Sequence, residues 1–486
     1  RVMLKGNLFN TFYSKDDIEL IHESVLRVFN EVGVKFEYEE ALELFKKHGA
    51  RVEGDLVFIP EELLNKALST IPESFEIVGP ESKLEIGIGK GLVVAPTNGC
   101  PNLEDWDGNY RQTNADDLEN FYKIINTSDV YGISSQVAAD IPGFENCPTE
   151  SALAQMAMMA KYSRKPMYNI LGITPHNYKR GNAREGAREC VQLIKKYMDN
   201  FDDYVCYSGM CVLPPLTVGT DALEHYFAFA EEKQPITITT CSMTNMTAPP
   251  SLMGSIVADF ANMLAVAVMI QLIEPGLPVI LSPFSSVSDM REVRLMTGAP
   301  EFLMIMSGHI AMGDFYRIPV RCSGALADGF TYDYQAGVES TLGALAVALS
   351  NACILPHASG DLSNFNLLSF PKFMMDEEML RYMKRLHDGV AISEKKANVE
   401  LIKKVGPRGV YLKGRTPKDY REETYLTSPV FNRGTCNEEG RAATPPIQER
   451  AYKVYQERIE SFELPDMTQA QKDLLNEHLP EKFKIK

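Results

Sequence analysis

The stretch PITITTCSMTNMTAPPSLMGSIVADFANMLAVAVMIQLIEPGLPVILSPF (235–284) holds two short β-branched runs, PITITTCS and PVILSPF, on either side of a long apolar segment. Runs this short and this rich in Ile, Val and Thr read as strands, and the apolar segment between them is long enough for several turns of helix. A strand, a helical crossover and a second strand make a parallel βαβ unit. Asp259, Asn262 and Gln271 interrupt the apolar segment. It therefore reads as a buried helix, because a membrane span needs about 20 predominantly apolar residues.

Outward from this unit the same rhythm repeats. The expected strands before it are GLVVAPTNG (91–99), YGISSQV (131–137), PMYNILG (166–172) and YVCYSGMCV (204–212). After it come PVRCSG (319–324) and ACILPHASG (352–360), and an eighth helix is expected at about 375–388. Eight strand–helix pairs over 91–390 predict an α/β fold, a closed TIM (β/α)8 barrel. An open doubly wound sheet would use fewer strands and a glycine-rich phosphate loop, and no GxGxxG or Walker sequence occurs. Residues 1–90 read as a helical and mixed N-terminal cap. Residues 391–486, rich in Lys, Glu, Pro and Gly, read as a C-terminal extension that packs on the barrel or builds a subunit interface.

A net charge of −16 over 486 residues gives no basic field for a polyanion, so nucleic acid is not an expected partner. Nine cysteines stand singly without a CxxC, which points to reduced thiols and a cytoplasmic location. The opening RVMLKGNLFNTFYSKDD has no signal-peptide pattern. No membrane association is expected.

Barrel enzymes build their sites from loops at the carboxyl ends of the strands. That rule gathers Thr97, Asn98, Ser135, Gln136, Asn169, Tyr207, Ser208, Cys241, Ser242 and Asn245 into one neighbourhood. Ser285, Ser286, Ser323, Asp328, Asp333, Gln335, His357, Ser359 and Asp361 complete it. No HExxH, GxSxG, Cys/His cluster or strand-end lysine is present, so the usual hydrolytic and Schiff-base signatures are missing. The aromatics Trp106, Tyr131, Tyr168, Tyr207, Phe284, Phe330, Tyr332 and Tyr334 fall near the same loops. Ring faces attract a quaternary ammonium by about 0.5–2 kcal/mol each, so a cation without N–H donors suits the site.

Each residue also has a plainer reading. His357 can be a satisfied structural imidazole, and Asp333 an N-cap. Gln335 and Glu339, four apart on one helix face, can bond each other. Arg321, inside a strand, can be one half of a buried ion pair.

The block DYQAGVESTLGALAVALSNACILPHASGDLS (333–363) resembles the trimethylamine methyltransferase superfamily, most closely its members without pyrrolysine that demethylate quaternary amines. IHESVLRVFNEVGVKF (21–36), CSMTNMTAPPSLMGS (241–255) and SFPKFMMDEEML (369–380) extend the likeness. It departs from the family's Gly-Ala-Thr at Asn245, Met246 and Thr247. The resemblance implies methyl transfer from an amine to the Co(I) corrinoid (cobalamin) of a partner protein, with no tightly bound metal. It assigns catalytic roles to His357, Gln335, Asp333 and Glu339. Substrate contacts are expected from Asn98, Tyr207, Phe284, Arg321, Phe330, Tyr332, Tyr334 and Gly360.

A betaine carboxylate would be held by His357 and amides near Gly360, with Arg321 in reserve. Glycine betaine, proline betaine and carnitine all fit this scheme. The small residues at 323–325 and the NMTAPP segment favour proline betaine. A homo-oligomer is expected. Two other accounts compete: a metal-dependent barrel enzyme using His357 and Asp333, and a non-catalytic binder of compatible solutes.

Overall fold

The computed structural model describes residues 12–144, 148–169, 183–412, 414–424, 428–434 and 436–486. The end of the third expected strand, 170–172, and the side chain of Asn169 lie outside the described residues. Eight parallel segments line up in chain order: β1 (Val93–Val94), β2 (132–134), β3 (Met167–Asn169), β4 (Cys206–Cys211), β5 (Ile236–Thr240), β6 (Val279–Pro283), β7 (320–321) and β8 (Ile354–Leu355).

Their backbone bonds run all the way round. Gly132 N donates to Val94 O at 2.9 Å, and Tyr168 N to Ser134 O at 2.8 Å. β3 pairs with β4, β4 with β5 and β5 with β6, all parallel. Arg321 N donates to Leu281 O at 2.8 Å, Cys322 N to Ile354 O at 3.0 Å, and Val93 N to Cys353 O at 3.0 Å. The last bond joins the eighth segment to the first, so the sheet closes. Each strand is shorter than the apolar run that predicted it, because the polar strand ends turn into loops.

Helices follow every strand: Ala115–Asn126, Pro148–Tyr162, Ala183–Met198, Thr220–Glu231, Leu252–Ile273, Pro300–Tyr316, Tyr334–Ala348 and Phe370–Asp388. The last begins five residues before its expected start, capped by Ser369 and opened by Pro371. Leu252–Ile273 is long and apolar enough to cross a membrane, yet 78% of its most apolar window is buried inside the protein. It is apolar all round because both its faces are covered. The barrel lies on one side and the N-terminal helices Lys15–Glu31 and Glu61–Leu68 on the other.

The N-terminal layer is stitched to the barrel by a parallel pairing of Val34–Phe36 with Thr217–Val218. Its hairpin, Ser74–Val78 with Lys83–Gly87, sends Phe75, Ile77 and Ile86 into one apolar cluster with Ile133, Tyr168, Tyr207, Ile280 and Ile354. That cluster seals the amino-terminal end of the barrel.

A small sheet absent from the sequence reading stands over the other end beside β1 and β8, ordered 361–362, 367–369, 102–104, 110–112. Its hairpin turn is closed by the Asp105 carboxylate, which accepts from Asp107 N at 3.0 Å and Asn109 N at 2.9 Å.

The chain from 428 onward wraps the barrel. Helix Ile447–Glu460 packs on helix Phe370–Asp388, the rings of Tyr452 and Tyr455 pack at a tilt against Trp106, and Arg458 pairs with the buried Glu377 at 2.6 Å. Trp106 thus serves this contact and not the barrel mouth. Among the described residues from 384 to 424, by contrast, none is buried.

Candidate active site

His357 stands two residues past the end of β8 with a left-handed backbone, φ 52°, and is almost wholly buried. A non-glycine residue in this region is uncommon, and such strain collects at functional sites. Ser323, at the end of β7, lies 2.8 Å from Nδ1, and Asn98, after β1, places its Oδ1 3.1 Å from Nε2. Since Asn98 Oδ1 can only accept, Nε2 carries the proton and Ser323 Oγ donates to Nδ1. Burial, and secondarily the nearby Arg321 charge, hold the imidazole pKa well below its ordinary value. His357 is a neutral, fixed imidazole.

Phe365 and Phe284 meet this ring edge-on, with centroids at 4.6 and 5.4 Å. Phe365 was not legible in the sequence. It ends three consecutive left-handed residues, Ser363, Asn364 and Phe365, with φ of 54°, 55° and 67°. The turn is held by Ser363 N donating to Gly329 O at 2.8 Å and Asn364 N to Ala327 O at 2.9 Å. The asparagine, a residue enriched at positive φ, was its available signal.

One layer deeper, Tyr168 on β3 and Tyr207 on β4 pack with centroids 4.7 Å apart. The Arg321 guanidinium, on β7, lies 4.8 Å from the centroid of the Tyr168 ring. Arg321 is buried, and among the described residues it has no carboxylate partner and its Nε no hydrogen-bond partner. Asn98 Nδ2 is a second buried donor without a partner among those residues. Of the two readings of Arg321, the internal ion pair is not found among the described residues.

Other expected contacts are engaged elsewhere. Gly360, at φ 79°, donates its N–H to Asp376 at 2.8 Å, and a Cβ there would strike Leu368. That amide is not open to a substrate carboxylate. Asp333 caps helix Tyr334–Ala348, accepting from Gln335 N at 2.9 Å and Ala336 N at 3.2 Å.

Glu339 accepts from Gln335 Nε2 at 2.9 Å and from Asp328 N at 2.8 Å, tying the β7 loop to its helix. Gly298 leaves the room this carboxylate occupies. Phe330 and Tyr334 are exposed at the rim, Tyr334 by 88%, and Tyr332 is partly exposed beside them. The structure thus brings together Asn98, Tyr207, Phe284, Arg321 and His357. It sets Asp333, Gln335, Glu339, Phe330, Tyr332 and Tyr334 apart on the β7 loop and the start of its helix.

The small residues at 323–325 leave no extra room. Ser323 is bonded to His357, Gly324 is pressed against the Gly343 backbone, and Ala325 is fully buried. Met246 of the NMTAPP segment is exposed. Behind the site, Asp361 accepts from Thr97 Oγ1 at 2.6 Å and Cys100 Sγ at 3.0 Å, and burial raises its pKa to about 7. Among the described residues no three His, Cys, Asp or Glu side chains cluster as metal ligands would.

What this arrangement can do is bind an anionic group and a soft cation side by side: two buried donors have no acceptor among the described residues, and tyrosine and phenylalanine rings lie beside them. The family described as trimethylamine methyltransferase (MTTB) matches residues 5–484. The chain belongs to that family.

Two of its relatives in Eubacterium limosum cover nearly its whole length. An L-carnitine:corrinoid methyltransferase is 53% identical over 99% of this chain and 100% of its own length. A proline betaine:corrinoid methyltransferase is 41% identical over 98% and 99%. The crystal structure of the monomethylamine methyltransferase of Methanosarcina barkeri superposes with a TM-score of 0.54 at 12% identity, covering 95% of this chain and 94% of that one. At this identity the trimethylamine methyltransferase family member and that structure share a fold, and the barrel closed by the β8–β1 bond is that fold.

Proposed function

We propose that this chain transfers a methyl group from a carboxylate-bearing quaternary amine, L-carnitine foremost, to the Co(I) corrinoid of a separate protein. The observation that carries this reading is Arg321, a buried guanidinium with no acid partner among the described residues, set over the Tyr168 ring. Leaving such a charge buried and unpaired is costly, so the site is built to receive an anion. A substrate carboxylate would take Arg321 and the free Asn98 amide. Tyr168, Tyr207, Phe284 and Phe365 would then offer ring faces to the trimethylammonium end. His357, with both nitrogens engaged, serves to hold Asn98 in place and not to grip the carboxylate itself.

The chemistry asks little more of the chain. The corrinoid, when bound with its carrier, supplies the electron pair that takes up the methyl group. The electrons of the C–N bond stay on nitrogen, which leaves as a neutral tertiary amine, so no general acid is required. Because positive charge on nitrogen disappears along the way, a carboxylate against it would stabilise the ground state more than the transition state. A neutral aromatic wall avoids that penalty, while Arg321 anchors the far end and orients the methyl group.

L-carnitine is placed ahead of proline betaine on the higher identity of the relative that bears its name. The packing of Ser323, Gly324 and Ala325 removes the feature that favoured proline betaine.

The test is a substrate panel of L-carnitine, proline betaine, glycine betaine and trimethylamine with reduced hydroxocobalamin. Corrinoid absorbance is followed and the demethylated product identified. Turnover of the carboxylated quaternary amines, with L-carnitine fastest, is expected. Equal turnover of trimethylamine would overturn the substrate class.

A further inference from the structure

The threonines of β5 alternate between its two faces. Ile236 and Ile238 face outward into the core beneath the helices, and on that side Thr240 donates to Asp259 of helix Leu252–Ile273 at 3.0 Å. Thr237 and Thr239 therefore face the barrel interior. Gly209 on β4 fixes the side: a Cβ there would lie 2.9 Å from Thr237 Cβ and 3.3 Å from the Tyr168 hydroxyl. Thr237 is fully buried, whereas Thr239 is partly exposed, and its hydroxyl has no hydrogen-bond partner among the described residues. β5 lies between β4 and β6, and helix Leu252–Ile273 packs on its outer face, so the open space beside Thr239 is inside the barrel.

A cross-strand row leads from Thr239 to Arg321. Cys211 on β4 and Ser282 on β6 are the direct neighbours of Thr239, and the pairing of Leu281 with Val320 sets Ser282 beside Arg321. Cys211 is exposed on this inner face, yet protein surrounds it: burial pushes its thiol up to about 11, and the Arg321 charge acts against that push. Arg321 and the Cys211–Thr239 pair thus border one recess. Phe284, two residues past Ser282, stands one layer nearer the mouth.

A ligand with its carboxylate on Arg321 and its ammonium against the rings passes its middle carbons beside Thr239. The threonine hydroxyl donates and accepts, while the thiol of Cys211 does either only weakly. A plain methylene chain would leave that hydroxyl without a partner once the ligand has displaced water, and a hydroxyl on the chain would satisfy it.

We propose that Thr239 reads a hydroxyl group on the substrate, selecting a 3-hydroxy-4-trimethylammoniobutanoate such as L-carnitine over the deoxy compound 4-trimethylammoniobutanoate. This rests on the reading of the site as one for a carboxylated quaternary amine. Shape alone separates two such compounds poorly, whereas a site built to bond a hydroxyl rejects the analogue that lacks it.

The test compares kcat/KM for the two compounds, with reduced hydroxocobalamin as acceptor, in the parent, Thr239→Val and Thr239→Ser, each checked by circular dichroism. The parent should prefer L-carnitine by about 100-fold or more. Thr239→Val, nearly the same in shape, should lose about 10- to 100-fold on L-carnitine and stay within about threefold on the deoxy compound. Thr239→Ser, which keeps the hydroxyl, should keep the preference. Should the valine variant not fold, Thr239→Ala gives the same readout. Equal loss on both compounds would make Thr239 structural and overturn the inference, as would a parent that uses the two alike. A parent that turns over proline betaine and neither of these compounds would overturn the choice of L-carnitine and this inference with it, an outcome visible before any substitution is made.

Discussion

His357 Nε2 donates to Asn98 Oδ1 across 3.1 Å, joining the loop after β8 to the loop after β1, 259 residues apart in sequence. This bond fixes the Asn98 side chain, whose amide nitrogen has no partner among the described residues. On the proposed reading the imidazole is the support and the amide the contact.

Replacing His357 by Ala should therefore lower kcat/KM for L-carnitine by about 100-fold, the cost of about 3 kcal/mol for a misplaced charge-assisted hydrogen bond. Circular dichroism should be unchanged. Asn98→Ala should cost a similar factor, and the double variant little more, since the two act as one unit. Fully multiplied losses in the double variant would show that they act separately.

The depressed His357 pKa also sets a pH prediction. A neutral imidazole throughout means that methyl transfer should be flat from about pH 6 to 8, with no inflection near the ordinary histidine value of about 6.5. The stability this group contributes is present above the unfolded value. It is lost as pH falls, because the unfolded imidazole takes a proton that the folded one refuses. A rate profile with a midpoint near 6.5 would place a charged His357 in the mechanism.

Arg321→Lys keeps the charge and loses the planar fork, and Arg321→Ala loses both. The alanine variant should lose at least about 100-fold in kcat/KM on L-carnitine, the lysine variant roughly 10-fold. Choline, which has the quaternary nitrogen but no carboxylate, should be as poor a substrate for the variants as for the parent. Its turnover, measured by the same absorbance change, separates loss of the anchor from general damage.

Asp361 offers a test of stability. Burial raises its pKa to about 7, above the unfolded value of 3.8, so its contribution is intact at low pH. That contribution is lost as pH rises from about 4 to 7, where the unfolded chain ionises and the folded one resists. Asp361→Asn should remove this slope, worth up to a few kcal/mol, in urea titrations at pH 4.5 and 7.5. Parallel pH dependence in parent and variant would show that Asp361 ionises normally.

At the crossing of the β7 loop with its helix, a Cβ on Gly343 would enter the Gly324 backbone, and a Cβ on Gly324 would lie 2.5 Å from Gly343 O. Neither backbone can yield cheaply. Gly343→Ala should destabilise the protein by about 1–3 kcal/mol by overpacking, seen as a lowered denaturant midpoint. An unchanged midpoint would mean that the helix can slide on the barrel.

The barrel was legible because its signals are local. PITITTCS and PVILSPF alternate with helices whose period is written into the neighbouring residues, and each barrel strand falls inside an expected run. The cap of Asp333 and the bond of Gln335 to Glu339 were also readable, since their partners lie two to four residues away. The same residues were expected to meet substrate, and in the structure they bond one another at the start of the helix.

The order of strands and helices, and with it the barrel and the face that carries the site, followed from the sequence alone, because periodicity and turn chemistry act over a few residues. Tertiary structure decided that Arg321 faces no acid among the described residues, that His357 is held neutral between Ser323 and Asn98, that the Gly360 amide is already taken, and that Phe365 closes on the imidazole. Each of these depends on groups from distant strands being brought within a few ångströms in a low-dielectric interior, where a missing partner or a nearby charge outweighs any preference a residue has by itself.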